Sequence, residues 1–171
     1  MKGTLHGNTL RFERTLAHPI EKVWHVLTDE AETAYWFPGR IVGARTPGAK
    51  VRFVFEAKPA GVMDDALAAL IASKQAEFAK APPEVFEGTI DVFDPPRVFA
   101  LTWAGDKLRF ELSQVGEATR LVFTHQFLDA DPADVAAGWH VSLDWLAKRT
   151  GDGSPPTTRA AFEAIEADYK R

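Results

Sequence analysis

Two side chains interrupt apolar strand faces in this sequence and could do chemistry there. His125 alternates with Leu121, Phe123 and Phe127, which puts it on their face of a predicted strand. An imidazole at that point could orient a ligand or act as an acid or base near neutral pH. It could equally be a core histidine bonded to a backbone carbonyl or to a side chain of the C-terminal helix. Both interpretations stay open at this stage.

Arg14 is the second such residue. It lies on the apolar side of the first predicted strand, Thr9–Leu16, together with Phe12. A guanidinium there could bind a carboxylate or phenolate of a ligand, because a buried arginine requires an anion. Alternatively, it pairs with a carboxylate of the protein, such as Glu87 or Asp91, or the strand end reaches solvent.

The remaining titratable pairs have simpler explanations. Glu87 and Asp91 share a strand face and could act as an acid and base pair, but the apolar residues between them favour a solvated outer face. His140 and Asp144 have the helical i, i+4 spacing of a metal site, yet Lys148 extends the same stripe, which favours a polar strip facing solvent. We therefore expect no confident catalytic residue, no metal and no cofactor.

Composition excludes several classes of protein. The chain has 171 residues, no cysteine, and 20 basic against 24 acidic side chains for a net charge of −4. Disulfide frameworks and thiolate zinc sites are excluded, and nucleic acid is an unexpected partner. No apolar run reaches the ~18 residues of a membrane span. Residues 1–8 lack the apolar core of a signal peptide, so a cytoplasmic location is expected.

The periodicity predicts one domain, 1–171, of the α+β class. Alternation indicates seven strands, most of them joined by short breaks typical of antiparallel pairs. Two short helices follow the first strand, and a long helix begins at Asp131-Pro132. Residues 57–83 form a helical insertion, which could be a lid or an interface, and residues 151–171 form an extra C-terminal segment.

Several motifs resemble one branch of the START/SRPBCC superfamily, to which the birch-pollen allergen belongs. That branch is the group similar to the activator of heat-shock protein 90 ATPase. The motifs are the 18–24 segment HPIEKVW, Trp36-Phe37, the 87–90 segment EGTI, the 94–97 segment DPPR with Leu101-Thr102-Trp103, Thr124-His125, and Gly138-Trp139. The resemblance implies a helix-grip fold, in which a curved seven-stranded antiparallel sheet wraps a long C-terminal helix and encloses a cavity.

The aromatic residues could fill a solid core or line such a cavity, and their placement on the inward faces favours the cavity. The chain has 12 Phe and 5 Trp but only 2 Tyr, so its rings carry few polar groups. Trp24 and Trp36 are expected to pack the fold. The expected ligand-binding residues are the aromatic residues of the inward faces with the two polar residues among them: Phe12, Arg14, Phe53, Phe55, Phe99, Trp103, Phe110, Phe123, His125 and Trp139.

These residues predict non-catalytic binding of a small hydrophobic or aromatic ligand. Two alternatives stay open. One is an enzyme similar to the polyketide cyclases, with His125 as acid or base and Arg14 holding an enolate. The other is a co-chaperone-like interaction domain, as the resemblance implies, although no residue identifies a chaperone surface. A homodimer is a further assembly that the sequence allows.

Overall fold

The computed structural model describes residues 2–151 and 154–171. Within them, eight strands form one antiparallel sheet, in the spatial order β1-β2-β8-β7-β6-β5-β4-β3. Short connections join most neighbours, as the turn signals predicted. The strands are β1 Thr4–His6, β2 Thr9–Leu16, β3 Arg40–Val42, β4 Lys50–Val54, β5 Glu87–Asp94, β6 Val98–Trp103, β7 Asp106–Val115 and β8 Ala118–Gln126.

The predicted α+β helix-grip class is confirmed, but the strand count of seven was wrong by one. The additional strand is β1, which pairs with β2 through a tight turn at Gly7, where φ is +60°. All three residues of β1 are exposed. A three-residue strand with no buried face has no alternation of polar and apolar residues to detect.

The described residues also form five α-helices: α1 Ile20–Thr28, α2 Glu30–Trp36, α3 Asp65–Phe78, α4 Pro132–Thr150 and α5 Arg159–Tyr169. Asp29 lies between α1 and α2. Its carboxylate accepts hydrogen bonds from the Ala31 and Glu32 backbone N–H groups and so caps the start of α2. The long helix α4 starts at the Asp131 cap and ends at Gly151, whose φ is +105°. None of these helices is long and apolar enough to cross a bilayer within the described residues.

The insertion and the C-terminal segment pack against each other. The insertion contributes α3, which contacts α5, and the 3₁₀ helix Pro83–Phe86 connects the insertion to β5. Thr157 forms a β-bridge with Met63, and the Asp64 carboxylate accepts from the Arg159 backbone N–H at 3.2 Å. The two segments that extend the resembled family pattern therefore form one joint structure beside α4.

Thr33 ties α2 to the sheet edge. Its hydroxyl donates to the Glu30 carbonyl at 2.7 Å and accepts from the Ile41 backbone N–H at 3.1 Å. The residue is fully buried, so water cannot replace either bond. The contact therefore fixes the position of β3 relative to the helical pair.

Replacing Thr33 by Val tests this contact. Valine keeps the shape but leaves the Ile41 N–H buried without an acceptor, which should lower the free energy of unfolding by about 1–3 kcal/mol. Urea denaturation measures the change. The control is Thr15→Val on the exposed side of β2, expected within about 0.5 kcal/mol of wild type. Equal stability of T33V and T15V would contradict the assignment.

Candidate functional site

A ladder of phenylalanine rings crosses the sheet face that α4 covers. Phe12, Phe123, Phe110 and Phe99 are cross-strand partners on β2, β8, β7 and β6. Neighbouring ring centres are 6.3, 4.5 and 6.1 Å apart, with interplanar angles of 20–28°. Phe93 on β5 extends the ladder edge-on to Phe99. These in-register rings give the sheet one continuous apolar wall.

The opposite wall comes from α4 and the end of α2. The Trp139 ring lies 4.5 Å from Phe123 and 5.7 Å from Phe37. Trp36 packs edge-on against Phe110 at 5.5 Å. Trp36 and Phe37 are fully buried, as is Phe123, so little space is left between helix and sheet. Trp36 is a packing residue, as expected, and so is Trp24, which contacts Phe93.

A second aromatic group lies at the end of the sheet nearest the insertion. Trp103 on β6 contacts Phe53 at 4.8 Å and Phe37 at 5.6 Å. Its indole N–H donates to the Val85 carbonyl at 2.7 Å, which holds the 3₁₀ helix in place. Phe37 and Phe53 are buried. Further rings, from the end of the insertion and from the segments on either side of it, cover the outer side of this group.

These outer rings are the aromatic plug, which we define as Phe55, Phe78 and Phe86. The three rings contact one another at 4.8, 5.7 and 5.3 Å, and Phe55 lies 6.0 Å from Trp103. Each is only partly buried. Phe78 is the last residue of α3, so the insertion closes this end of the aromatic interior.

The expected ligand-lining residues are therefore brought together, but as mutual contacts. Six of them belong to one buried hydrophobic core, and two partly buried rings pack against it: Phe12, Phe53, Phe99, Phe110, Phe123 and Trp139 in the core, with Phe55 and Trp103 against it. In the structure these rings contact one another, because the cross-strand register sets them at contact distance and Trp139 covers them. Their role in lining a ligand site stays a prediction. The alternation of side chains along each strand predicts which face of the sheet a ring lies on, but not the distance between rings on neighbouring strands.

His125 is held between two partners. The Trp139 indole N–H donates to its Nδ1 at 2.7 Å, and its Nε2 lies 2.9 Å from the Asp106 carboxylate. Because an indole N–H only donates, Nδ1 is unprotonated and Nε2 carries the proton that is given to Asp106. Burial lowers the pKa of His125 despite the neighbouring carboxylate. The ring is a neutral histidine with both nitrogens bonded.

Arg14 lies elsewhere on the same face. Its guanidinium is 3.5 Å from the Asp144 carboxylate, donates to the Glu13 carbonyl and lies over the Phe12 ring. Leu10 pairs with His125, whereas Arg14 pairs with Leu121. Four strand positions correspond to about 13 Å, so the two polar candidates do not meet at one site.

A polar cluster under α5 was missed by the sequence interpretation. His140 lies 3.0 Å from the Tyr169 hydroxyl, which also accepts from the Gly3 backbone N–H at 2.8 Å. Asp144 is 3.4 Å from His140, and burial lowers the pKa of that histidine. Of the stripe expected to face solvent, His140 is covered by α5, whereas the Asp144 side chain is 40% exposed. The apolar face of α5, which ends at Tyr169, was the signal that a partner helix existed.

The other candidate pairs stay outside the interior. Glu87 and Asp91 are exposed on the outer face of β5, where Asp91 accepts from the Thr102 hydroxyl at 2.6 Å. Within residues 2–151 and 154–171, no group of three or more His, Cys, Asp or Glu side chains is arranged to hold a metal ion.

Comparisons with known proteins support the fold. No protein-family model matches the chain, and no curated protein matches it in sequence. Among solved structures, CalU16 from Micromonospora echinospora is 15% identical with a TM-score of 0.61, covering 99% of this chain and 92% of that one. The Aha1 dimer from Colwellia psychrerythraea is 17% identical with a TM-score of 0.60, covering 85% and 98%. Both have SRPBCC-type folds.

A third solved structure is more similar in sequence. The protein encoded by gene BPP1335 of Bordetella parapertussis is 34% identical to this chain, with a TM-score of 0.69. The match covers 98% of this chain and 87% of that one. This chain therefore has a helix-grip fold and belongs to the same family as the Bordetella parapertussis protein.

Proposed function

We propose that this protein binds a small hydrophobic or aromatic molecule, without catalysis, in the aromatic interior behind the plug. The observation that carries the proposal is the plug itself. The three plug rings are partly exposed, and one of them, Phe55, contacts Trp103, which in turn contacts the buried rings of Phe37 and Phe53. An apolar ligand that replaces the plug rings would meet an entirely aromatic surface.

The energetics favour exchange of one ring for another. Each aromatic pair contributes about 0.5–1.5 kcal/mol beyond the area it buries. A ligand ring that takes the place of Phe78 restores the same kind of contact with Phe55 and Phe86. A polar ligand would restore none of it and would be desolvated without partners. The site therefore selects an apolar, flat molecule.

The attachment of the insertion is shallow enough for such an exchange. Leu67 is the one residue of α3 that is buried. Near its C-terminal end, the Gln75 side chain makes an exposed bond to the Glu56 carbonyl at 3.3 Å. Segments with few buried apolar contacts open at low free-energy cost. We propose that the insertion is a lid over the ligand site, which is one of the two roles expected for it.

The cyclase alternative receives less support from the geometry. Acid–base catalysis by His125 requires a ring nitrogen free to face the substrate, and here Trp139 and Asp106 occupy both. Arg14, which would hold the enolate, lies four strand positions away. We interpret His125 as the polar residue that fixes Trp139 over the ladder.

We further propose that the chain belongs to the branch similar to the activator of heat-shock protein 90 ATPase. The 18–24 segment HPIEKVW and the 94–97 segment DPPR support this, together with the likeness to the Colwellia psychrerythraea Aha1 fold. The chaperone partner, the homodimer and the cytoplasmic location stay predictions.

The plug is tested by Phe78→Ala with a neutral dye. The variant lacks the two ring contacts of Phe78 that the dye would have to displace in wild type. N-phenyl-1-naphthylamine should therefore bind to F78A about tenfold more tightly than to wild type. Fluorescence titration measures the affinity. The control is Leu5→Ala, which removes an exposed apolar side chain on the opposite edge strand β1 and should leave dye affinity unchanged. Absence of saturable binding of neutral aromatic and alkyl probes to both folded wild type and F78A would overturn the proposal.

His125→Gln tests the structural role of the histidine. The folded protein holds His125 neutral, whereas the unfolded chain takes up a proton near the ordinary pKa of 6.5. Below that pH the unfolded chain binds more protons, so acidification favours unfolding and stability is lost as the pH falls. The H125Q variant lacks this proton uptake.

Urea unfolding at pH 5, 6 and 7 measures the difference. Wild type should lose more stability than H125Q between pH 7 and pH 5. At pH 7 the free energy of unfolding of H125Q should be about 1–3 kcal/mol lower than that of wild type, because glutamine reproduces the hydrogen bonds to Trp139 and Asp106 only in part. His6→Gln, at an exposed strand position, is the matched control. Parallel pH profiles for wild type and H125Q would contradict the buried neutral assignment.

A further inference from the structure

A separate cavity of about 190 Å³ lies at the C-terminal end of α4, outside the aromatic interior. Helix α2, the first part of the insertion and the C-terminal segment close around it. The lining residues belong to four parts of the chain: Tyr35, Ala60, Gly61, Val62, Trp145, Lys148, Arg149 and Ser154. The aromatic plug contributes none of them, so this site is distinct from the one proposed above.

Two aromatic rings in this cavity are held rigidly. The Trp145 indole N–H donates to the Thr157 hydroxyl at 3.0 Å, and the residue is 6% exposed. The Tyr35 ring is covered by the Arg149 guanidinium, which lies 3.7 Å from its centre. Arg149 is itself fixed by two bonds to Glu32 at 2.6 and 2.8 Å. Rings held in this way lose little freedom when a flat ligand binds.

The charge around the cavity is positive, although the whole chain carries −4. Among the described lining residues, Lys148 and Arg149 are cations and none is a carboxylate. Lys148 donates to the Thr157 hydroxyl at 2.8 Å, and an ammonium has three donors. Lys58 adds a cation 5.7 Å from the Trp145 ring centre. Burial lowers the pKa of Lys58 to about 8, which leaves it charged at neutral pH.

Partners already present neutralise only part of this charge. The Glu32 carboxylate forms an ion pair with Arg149, and the negative charge of Glu56 favours the charged form of Lys58. Lys58 donates to the Ala34 and Phe37 carbonyls, which are uncharged acceptors. An anion at Lys148 would therefore balance a local excess of positive charge.

The volume suits a ligand with one aromatic ring. A cavity of about 150 Å³ accommodates benzene, whereas drug-sized ligands need about 300 Å³ or more. The 190 Å³ cavity admits a ring with one small substituent. We propose that it binds a small aromatic monocarboxylate, with the ring against Tyr35 and Trp145 and the carboxylate bonded to the Lys148 ammonium.

The added segments of the chain build this site. The Thr157 backbone N–H donates to the Val62 carbonyl at 3.0 Å, and the Asp64 backbone N–H donates to the Thr157 carbonyl at 3.0 Å. The Thr157 side chain simultaneously accepts from Trp145 and Lys148. One residue of the C-terminal segment thus orients both the insertion and the two side chains that would recognise the ligand.

Benzoate titration of the full chain tests the proposal, followed by 1H–15N NMR of the tryptophan indole and glycine amide signals. Benzoate should shift the signals of Trp145 and Gly61, with the Trp145 indole assigned through Trp145→Phe. Neutral benzamide should bind about tenfold more weakly, since it lacks the charge-assisted bond to Lys148. Benzamide binding as tightly as benzoate would overturn the proposal, as would benzoate shifting Trp103 and Trp139 in place of Trp145.

Two variants separate recognition from folding. Lys148→Met keeps an unbranched side chain of similar length but removes the ammonium. It should lower benzoate affinity about tenfold, because one charged hydrogen bond is lost. Ala60→Phe fills the cavity and should abolish binding while circular dichroism shows a folded protein. The control is Lys80→Met at an exposed position, expected to bind as wild type. Wild-type benzoate affinity in both K148M and A60F would overturn the proposal, whatever the result with the neutral dye.

Discussion

The in-register alignment of phenylalanines across five strands is the constraint on which the rest of the structure depends. Phe12, Phe123, Phe110, Phe99 and Phe93 meet as successive cross-strand neighbours. A shift of one residue in any pairing would move a ring to the outer face of the sheet. The alignment therefore fixes the register and the surface on which α4 packs. Trp139 rests on Phe123, so the ladder also determines the position of the helix.

The buried histidine beside the ladder has a partner at each of its ring nitrogens. His125 follows Phe123 on the same strand face and reaches both Trp139 and Asp106. Asp106 also accepts from the Leu128 backbone N–H at 3.0 Å, which joins the start of β7 to the chain after β8. A buried polar group with full partners costs little and adds specificity to the packing. The same bonds occupy the nitrogens that acid–base catalysis would need.

Local periodicity was sufficient for much of the fold. The alternation along Thr9–Leu16 placed Phe12 and Arg14 on the inner face, and the Asp131-Pro132 signal located the start of α4. These features are encoded within a few neighbouring residues, which is why one sequence reveals them.

The features that were missed depend on contacts between distant segments. The Asp106 partner of His125 lies 19 residues away, and Tyr169 reaches His140 across 29 residues. Nothing near His140 in the chain indicates that α5 covers it. The closeness of the ladder rings has the same origin, since strand parity gives a face but not a separation. The candidate site was therefore predicted as a set of residues, and its packed state was not.

The bridge between Thr157 and Met63 has a consequence for how this domain can vary. Because Thr157 bonds to the insertion through its backbone and to α4 through its hydroxyl, the two added segments share one anchor. Removal of the C-terminal segment would expose both the apolar side of α3 and the end of α4. Loss of the insertion would likewise leave Phe162 on α5 without its cover. Shortening either segment is therefore expected to destabilise the other.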